Sequence, residues 1–228
     1  MAPGCVSLAE HSPVVYPKDS LREYWTFHTT PFVSRLQQQP IPSPQYCTKA
    51  HRNFLAAQRV RVAVALDCEM GTAISGESEI IRITVVDFFT QEVLVDRLVQ
   101  PSIPMRHYNT RFSGVTASDM RNAVRNRTCI FGRDKARQQV WQFIGPGTVV
   151  VVHGGQNDLS ALRWMHPLVI DTLILESYGE PIGGGRSLKN LCLKRLGWVV
   201  QNGRGHCSHE DALACRELVH WLAGQIPA

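Results

Sequence analysis

The stretch VAVALDCEMG at residues 62–71 decides the fold class of this chain. Five apolar residues run directly into Asp67, Cys68 and Glu69, and so apolar a strand is typical of the middle of a sheet covered on both faces. Side chains alternate between the faces of a strand, so Asp67 and Glu69 point the same way and Cys68 points opposite. Adjacent carboxylates repel, and burying either without a partner is costly. The stretch therefore predicts a central strand that ends where positive charge is expected.

Length and composition place the chain among compact globular proteins. It has 228 residues, 44% hydrophobic and 19% charged, which fits one domain with an appendage. No run reaches the length of a membrane span, and the first residues, MAPGCVSLAEHSP, contain no apolar signal core. The seven cysteines are an odd number without a CxxC pair, which predicts free thiols in a reducing, intracellular compartment.

The net charge of +5 is unevenly distributed. Residues 103–138 carry eight Lys or Arg against two acids, and residues 183–206 carry five Lys or Arg and no acid. Either run alone is consistent with an ordinary solvated surface. Two such segments flanking an acidic cluster favour a polyanionic partner.

Residues 1–57 differ from the rest of the chain. They are rich in Pro, Gln and Ser, as in RLQQQPIPSPQY, with one short helix expected at DSLREYWTFH, capped by Asp19 or Ser20. We expect an N-terminal extension over 1–57 that packs against or trails from a core domain over 58–228. Cys47 and His51 have the spacing of half a zinc site, but no second pair lies nearby.

The core domain shows a regular order of elements. Five strands are predicted, at RVAVALDCEM, IIRITVVDF, EVLVDRLVQP, TVVVVHG and LVIDTLILES. Helices are predicted after the capping box Thr116–Asp119 and at ARQQVWQFIG, NDLSALRWM, SLKNLCLKRLG and SHEDALACRELVHWLAG. This order predicts an α/β fold with a five-stranded mixed sheet, three antiparallel strands then two parallel ones, flanked by helices.

The last helix directs an acid toward the core. With Ser208 as the cap, Asp211 fits a capping-box position. Asp211 also begins a stripe with Cys215, Leu218 and Leu222 that must face the interior. Capping alone does not explain that orientation.

The helix after the fourth predicted strand repeats the arrangement. Asp158, Leu162 and Met165 share one face, and the preceding glycine pair permits a tight turn from strand to helix. Asp158 also lies in the first turn, where the helix dipole alone would favour an acid. Four carboxylates converging on one place are hard to satisfy without cations, and an all-oxygen site suits Mg²⁺ or Mn²⁺.

His206 lies on a glycine-flanked loop just before the last helix. Beside a metal cluster, a histidine is suited to take a proton from water. Two alternatives stay open: a solvated loop histidine, and a zinc site formed by His206, Cys207 and His209. His209 is expected to be exposed and is the weaker candidate for a base.

Three motifs in order, ALDCEMG, HGGQND and GHCSHED, resemble those of the DEDDh 3′→5′ exonucleases. Within that superfamily, DCEMG, YNTRFSGVT, SLKNLC and GHCSHEDA look most like the RNA exonuclease branch, which includes ribosomal-RNA-processing and interferon-stimulated exonucleases. The likeness covers roughly residues 62–222 and leaves the N-terminal extension unmatched.

The resemblance implies a ribonuclease H-like fold with an exonuclease domain over 58–228. It implies two Mg²⁺ or Mn²⁺ ions held by the carboxylates of Asp67, Glu69, Asp158 and Asp211, with His206 as general base. It further implies that nucleoside 5′-monophosphates are released from the 3′ end. It also implies substrate contacts by Met70, Arg111 and Phe112, and favours the nucleus or nucleolus, with the cytoplasm as the alternative.

Single-stranded RNA is the favoured substrate, with single-stranded DNA as the main rival. Two other classes remain: a catalytically weak nucleic-acid-binding module on the same fold, and a protein-interaction adaptor whose basic segments are ordinary surface. Loss of an acid or of His206 would indicate the binding module, and all five residues are present. No membrane contact is expected, and the sequence leaves the oligomeric state open.

Overall fold

A computed structural model describes residues 14–18, 21–30, 59–176, 186–203 and 205–225. The strands are β1 Val14–Lys18, β2 Leu21–Thr29, β3 Ala63–Ala73, β4 Ser78–Asp87, β5 Val93–Gln100, β6 Met105–His107, β7 Ile130–Phe131, β8 Val149–Val152, β9 Trp164–Met165 and β10 Val169–Asp171. The α-helices are α1 Thr110–Ser113, α2 Ala117–Arg125, α3 Arg133–Val140, α4 Gln156–Ala161, α5 Thr172–Leu175, α6 Leu188–Leu191 and α7 Ser208–Gly224, with a π-helical segment at Cys192–Leu196. None of the helices in these ranges is both long and apolar enough to span a membrane.

The main sheet has the strand order β10-β8-β3-β4-β5-β7, with β6 paired to the far end of β3. The strands β3, β4 and β5 form an antiparallel meander, and β8 and β10 extend it in parallel. The predicted mixed sheet of five strands, antiparallel then parallel, is therefore confirmed. The short edge strands β6 and β7 were not predicted, because two or three residues carry no readable alternation.

The two faces of the sheet bury different layers, and this places the acids. Val64, Leu66 and Cys68 pack with the residues of α3 and α4 on one face. Ala63 and Ala65 pack with α6 and α7 on the other. Because Asp67 and Glu69 continue the second series, they point toward α7.

The structure differs from four local predictions, once in the type of element and three times in a boundary. The segment expected as a helix at DSLREYWTFH contains strand β2, which pairs with β1 and β9; its aromatic and β-branched residues suit a pleated surface. The predicted fifth strand ends at Asp171, whose side chain caps α5. The helix after β8 ends at Ala161, since the following residues join β9. Helix α7 begins at Ser208, so Cys207 occupies the cap position.

Part of the N-terminal extension packs on the core. The indole Nε1 of Trp164 donates to Thr30 Oγ1 over 2.8 Å, and that hydroxyl lies 2.7 Å from His166 Nδ1. His166 Nε2 is in turn 2.6 Å from the carbonyl oxygen of Thr148. The proposed boundary at residues 57/58 and the pair Cys47 and His51 lie outside the described residues, so both stay predictions.

We expect Thr30→Val to lower the free energy of unfolding by about 1–3 kcal/mol, because it leaves the buried Trp164 N–H without an acceptor. Urea unfolding of the full chain measures this loss. The double variant with Trp164→Phe, which removes donor and acceptor together, should lose less than the sum of the single changes. An unchanged midpoint in Thr30→Val would show that the contact contributes nothing to stability.

Candidate active site

Three carboxylates meet where β3 faces the first turn of α7. One oxygen each from Asp67, Glu69 and Asp211 lies within 4.8 Å of the others. Glu69 and Asp211 are buried, and Asp67 is partly exposed. Strand alternation supplies two of these side chains and the inward stripe of α7 supplies the third, as the sequence pattern predicted.

Asp158 reaches the same strand from α4 but stands slightly apart from the other three carboxylates. It is buried, and its Oδ1 accepts a hydrogen bond from the backbone N–H of Cys68 at 3.0 Å. Its charge contributes to the raised pKa of Asp67, so the two groups are electrostatic neighbours. The structure thus brings all four predicted acids to one end of β3, with three in mutual reach and the fourth beside them.

The turn before α4 is built to hold Asp158 in place. Gly154 adopts a left-handed φ of 66°, and a Cβ at Gly155 would overlap the side chain of Val152. The Asp171 carboxylate accepts from both glycine N–H groups, at 2.8 and 2.9 Å, while it also caps α5. One side chain therefore fixes the turn from which Asp158 projects.

Helix α7 is anchored to the sheet beside the acids. The hydroxyls of Thr84 and Ser208 lie 2.7 Å apart, and Thr84 is the β4 residue paired with Asp67. The amide of Gln201 donates to both carboxylate oxygens of Asp211 at 3.1 Å. The backbone N–H of Gln201 is held by Glu210 on the same helix at 2.8 Å. These contacts fix the orientation of the Asp211 carboxylate.

Burial raises the pKa of all four carboxyl groups, and repulsion from other acids of the cluster adds to it at Asp67 and Glu69. Burial is the largest cause for each of them, and the charges of neighbouring acids add to it. The pKa of Glu69 rises to about 8, although the positive charge of Arg82 opposes the rise. The hydrogen bond from Gln201 lowers the pKa of Asp211 and so partly offsets its burial.

The donor set fits a hard divalent cation. Glu69 Oε1 is buried and has no hydrogen-bond partner among the described residues. Arg82 lies opposite Glu69 on β4, but its guanidinium is bound to Asp96 at 3.0 and 3.1 Å. Negative charge therefore remains without a partner, and clustered carboxylate oxygens are what hard cations prefer.

The alternative zinc site formed by His206, Cys207 and His209 receives no support. Within the described ranges, the acids Asp67, Glu69 and Asp211 form the one group whose ligand atoms come together. The exposed thiol of Cys207 stays a free cysteine at the cap of α7.

His206 lies beside the acids on a loop held by backbone contacts. Its side chain is 45% exposed, and Nδ1 is 3.6 Å from Asp211 Oδ2. Its backbone N–H donates to the carbonyl of Phe112 at 2.5 Å. Gly205 has a left-handed φ of 88°, and a Cβ there would overlap the backbone of Gly114. His209, expected to be exposed, is partly buried in the first turn of α7.

The three predicted substrate contacts surround the same end of β3. Met70 directly follows Glu69 and is partly buried, with its carbonyl accepting from the Asn109 amide at 3.1 Å. Phe112 is 63% exposed, with the Arg111 guanidinium 5.8 Å from its ring centre. Phe112 is joined to the His206 loop through its carbonyl. Their roles in binding stay predictions.

Two residues of the site were missed by sequence reasoning. Arg82 reaches Glu69 through the strand register, which carries a bulge between Glu69 and Met70 that no local pattern reveals. Gln201 belongs to an irregular loop and acts through its tertiary contact with Asp211. A single sequence carries no signal for either residue.

Comparisons with known proteins agree with this geometry. No family model matches the chain. It is 38% identical over 162 residues to exonuclease GOR of Pan troglodytes, 34% over 178 residues to RNA exonuclease 3 of Candida glabrata, and 38% over 158 residues to the human RNA exonuclease 1 homolog. These matches cover 71%, 77% and 69% of this chain but 22%, 42% and 12% of the relatives. The chain thus spans less than half the length of each relative.

Solved structures share the fold. The catalytic unit of Neurospora crassa Pan2 matches 82% of this chain and 28% of its own, with a TM-score of 0.59 and 21% identity. The Saccharomyces cerevisiae Pan2 pseudoubiquitin hydrolase–RNA exonuclease module, in complex with AAGGAA RNA, matches 72% of this chain and 29% of its own, with a TM-score of 0.58 and 25% identity. The predicted ribonuclease H-like fold class is confirmed.

The metal-free protein should lose stability as pH rises from about 4.5, the ordinary pKa of Glu, to about 8, the pKa of Glu69 in the fold. In that window the folded state binds more protons than the unfolded state, so the free energy of unfolding falls by up to about 1.4 kcal/mol per pH unit for each such group. Urea unfolding in chelator measures the fall. Added Mn²⁺ should reverse it, most strongly at high pH, because the ion binds ionised carboxylates.

Glu69→Gln is the matched control for this pH dependence, since it keeps the size of the side chain and removes its titration. The stability of the variant in chelator should vary less with pH than that of the wild type. A wild-type stability that rises with pH through this window would contradict the expected repulsion among the acids.

Gln201→Ala should weaken Mn²⁺ binding by about 10–100-fold, the usual effect of losing a group that orients a metal ligand. Calorimetric titration measures the affinity. Asn202→Ala is the control, because the exposed Asn202 side chain contacts Lys189 and not Asp211. Equal affinities for Gln201→Ala and wild type would mean that Asp211 needs no such support.

Proposed function

We propose that this chain, a homologue of the RNA exonucleases of the DEDDh superfamily, is a metal-dependent 3′→5′ exonuclease that acts on single-stranded RNA and releases nucleoside 5′-monophosphates. The observation that carries the proposal is the convergence of Asp67, Glu69 and Asp211 within 4.8 Å, with Asp158 and His206 beside them. Four carboxylates can hold the divalent cations of an all-oxygen site, and a histidine beside them can act as general base in the hydrolysis of a phosphodiester.

We infer that the four acids hold Mg²⁺ or Mn²⁺ as a pair of ions. When bound, such ions neutralise charge on the phosphate, lower the pKa of water and stabilise the departing oxygen. The buried, unpartnered Glu69 Oε1 supports this assignment. The chain's own part is to hold four carboxylates rigidly at one end of β3 and to keep them ionised once cations are present.

His206 is proposed to accept the proton of the attacking water. Its Nδ1 faces Asp211 Oδ2 at 3.6 Å, which leaves Nε2 to receive the proton. The water oxygen bonds to the phosphorus as the bond to the 3′ oxygen of the preceding nucleotide breaks. The terminal nucleotide leaves with its 5′ phosphate, and the departing 3′ oxygen takes a proton from solvent, so the shortened strand ends in a new 3′ hydroxyl.

The distribution of charge supports a nucleic-acid strand as the substrate. Of the eight basic residues in 103–138, five arginines and Lys135 are exposed. Arg137 is buried and contacts Asp134 and the carbonyl oxygen of Leu162, and Arg133 forms an ion pair with Glu79. RNA is favoured over DNA because relatives are named RNA exonucleases and a Pan2 module binds RNA. Ribosomal RNA processing in the nucleus or nucleolus is the accompanying proposal, and the resemblance of the motifs supports it.

The test compares linear single-stranded RNA, DNA of the same sequence and a circular RNA, with Mn²⁺ or chelator. We expect mononucleotides from the 3′ end of linear RNA, slower turnover of DNA, a resistant circle and no reaction in chelator. Cleavage of the circle would indicate an endonuclease. Binding of RNA without turnover would indicate the binding module, and faster turnover of DNA would reverse the substrate preference.

Two variants test the roles of residues in the same assay. Asp211→Asn should nearly abolish turnover and weaken Mn²⁺ binding, because a charged ligand is lost. His206→Ala should keep Mn²⁺ binding and lose about 10²–10⁴-fold in the chemical step, with a residual rate that rises with pH as hydroxide replaces the base. His209→Ala is the control and should stay close to wild type. Exchanged phenotypes of the two histidine variants would make His209 the base.

A further inference from the structure

A cavity of about 330 Å³ opens on the same face of the sheet as the acids. Its floor is formed by Arg82, Asp96 and Leu98 of β4 and β5. Helix α2 packs over Leu98, and its residues Asp119 and Ala123 line the cavity. The cavity is therefore a gap between the sheet and α2.

The register of the sheet places this cavity next to the acidic cluster. Glu69 on β3 pairs with Arg82 on β4, which pairs with Leu98 on β5. Since neighbouring strands lie about 4.8 Å apart, the floor begins about 5 Å and ends about 10 Å from the backbone of Glu69. Successive nucleotides in a stacked strand advance about 3.4 Å. A nucleotide joined to a phosphate bound at the acids would lie within reach of the cavity.

The lining suits a nucleobase better than a phosphate. Leu98, Val115 and Ala123 provide apolar surface, whereas Asp96 and Asp119 would repel an anion. Exposed Thr128 adds a hydroxyl donor at the rim. A base combines apolar faces with an edge that carries both donors and acceptors. A volume of about 330 Å³ is at the lower end for small-molecule sites, as expected for one nucleoside.

The cavity also shares a wall with the loop of the proposed base. Gly114, which lines the cavity, is in backbone contact with Gly205, the neighbour of His206. The Arg82–Asp96 ion pair keeps the floor rigid through two hydrogen bonds of 3.0 and 3.1 Å. A base seated here would thus rest against the turn that positions His206.

We propose that this cavity binds the base of one of the two nucleotides joined by the phosphate under attack. The proposal rests on the proposed function, because it assumes a nucleic-acid strand whose phosphate lies at the acids. It names a binding site distinct from the exposed surface around Arg111 and Phe112.

The test measures the affinity of short single-stranded RNAs by fluorescence anisotropy with Ca²⁺ in place of Mn²⁺, under conditions in which gel analysis shows the RNA to stay intact. The RNAs are intact, or lack one base at the last, the second-last or a remote nucleotide. Loss of the base that occupies the cavity should weaken binding to the wild type about tenfold or more, the usual scale for one stacked base. Loss of the remote base should have little effect.

Thr128→Phe fills the cavity from its exposed rim. It should weaken binding of intact RNA by a similar factor, and removal of the critical base should then cause no further loss. The control Arg121→Ala, an exposed charge on α2 that does not line the cavity, should weaken all RNAs equally. Unchanged thermal stability and Mn²⁺ affinity would show that Thr128→Phe leaves fold and acids intact.

The proposal is overturned if base removal weakens binding to Thr128→Phe as much as to the wild type, or if neither terminal base matters. Failure of the proposed function has a different signature, namely no turnover of intact linear RNA by the wild type with Mn²⁺. Because binding is measured without turnover, each result can be obtained whatever the other shows.

Discussion

Repulsion among buried carboxylates is the constraint on which the rest of this structure depends. Asp67, Glu69, Asp158 and Asp211 all have raised pKa values because the fold holds them away from water, and the charges of other acids of the cluster raise those of Asp67 and Glu69 further. A flexible scaffold would relieve that repulsion by moving apart. Here the acids stand on a central strand paired on both sides and on two helices with anchored first turns. The stability of the apolar layers thus offsets an electrostatic cost at one end of the sheet, and cations remove that cost.

The sequence alone predicts a feature of this structure correctly when the residues that determine the feature are close together along the chain. Local patterns predict the direction of each acid: strand alternation for Asp67 and Glu69, an apolar helix stripe for Asp211 and a glycine turn for Asp158. The structure brings these four acids together as the patterns imply. Strand β2 was mistaken for a helix because its partner β9 is remote; the bonded side chains Thr30 and Trp164 are 134 residues apart. No window of sequence contains both members of such a pair.

The basic residues illustrate a second limit of sequence reasoning. A count over 103–138 treats eight cations alike, yet Arg137 and Arg133 are committed to internal partners. Arg82 lies outside that segment but is the residue of β4 that pairs with Glu69 on β3, and its guanidinium is bound to Asp96. Burial and pairing therefore decide which positive charges can meet a phosphate. Arg111 on α1 and Arg121 and Arg125 on α2 are among the exposed cations, and α2 also lines the proposed base pocket.

The contact between Gly205 and Gly114 has a consequence for how the protein can vary. Two backbones meet without side chains between them, and the N–H of His206 is tied to the carbonyl of Phe112. Main-chain contacts, and not side-chain contacts, therefore fix where the His206 side chain lies. Replacement of Phe112 by another residue would keep the backbone carbonyl at position 112 in place. The side chain at this position, which faces an incoming strand, can therefore differ between related proteins without moving His206. The close contact between the two glycines stays the same while the side chains of that surface change.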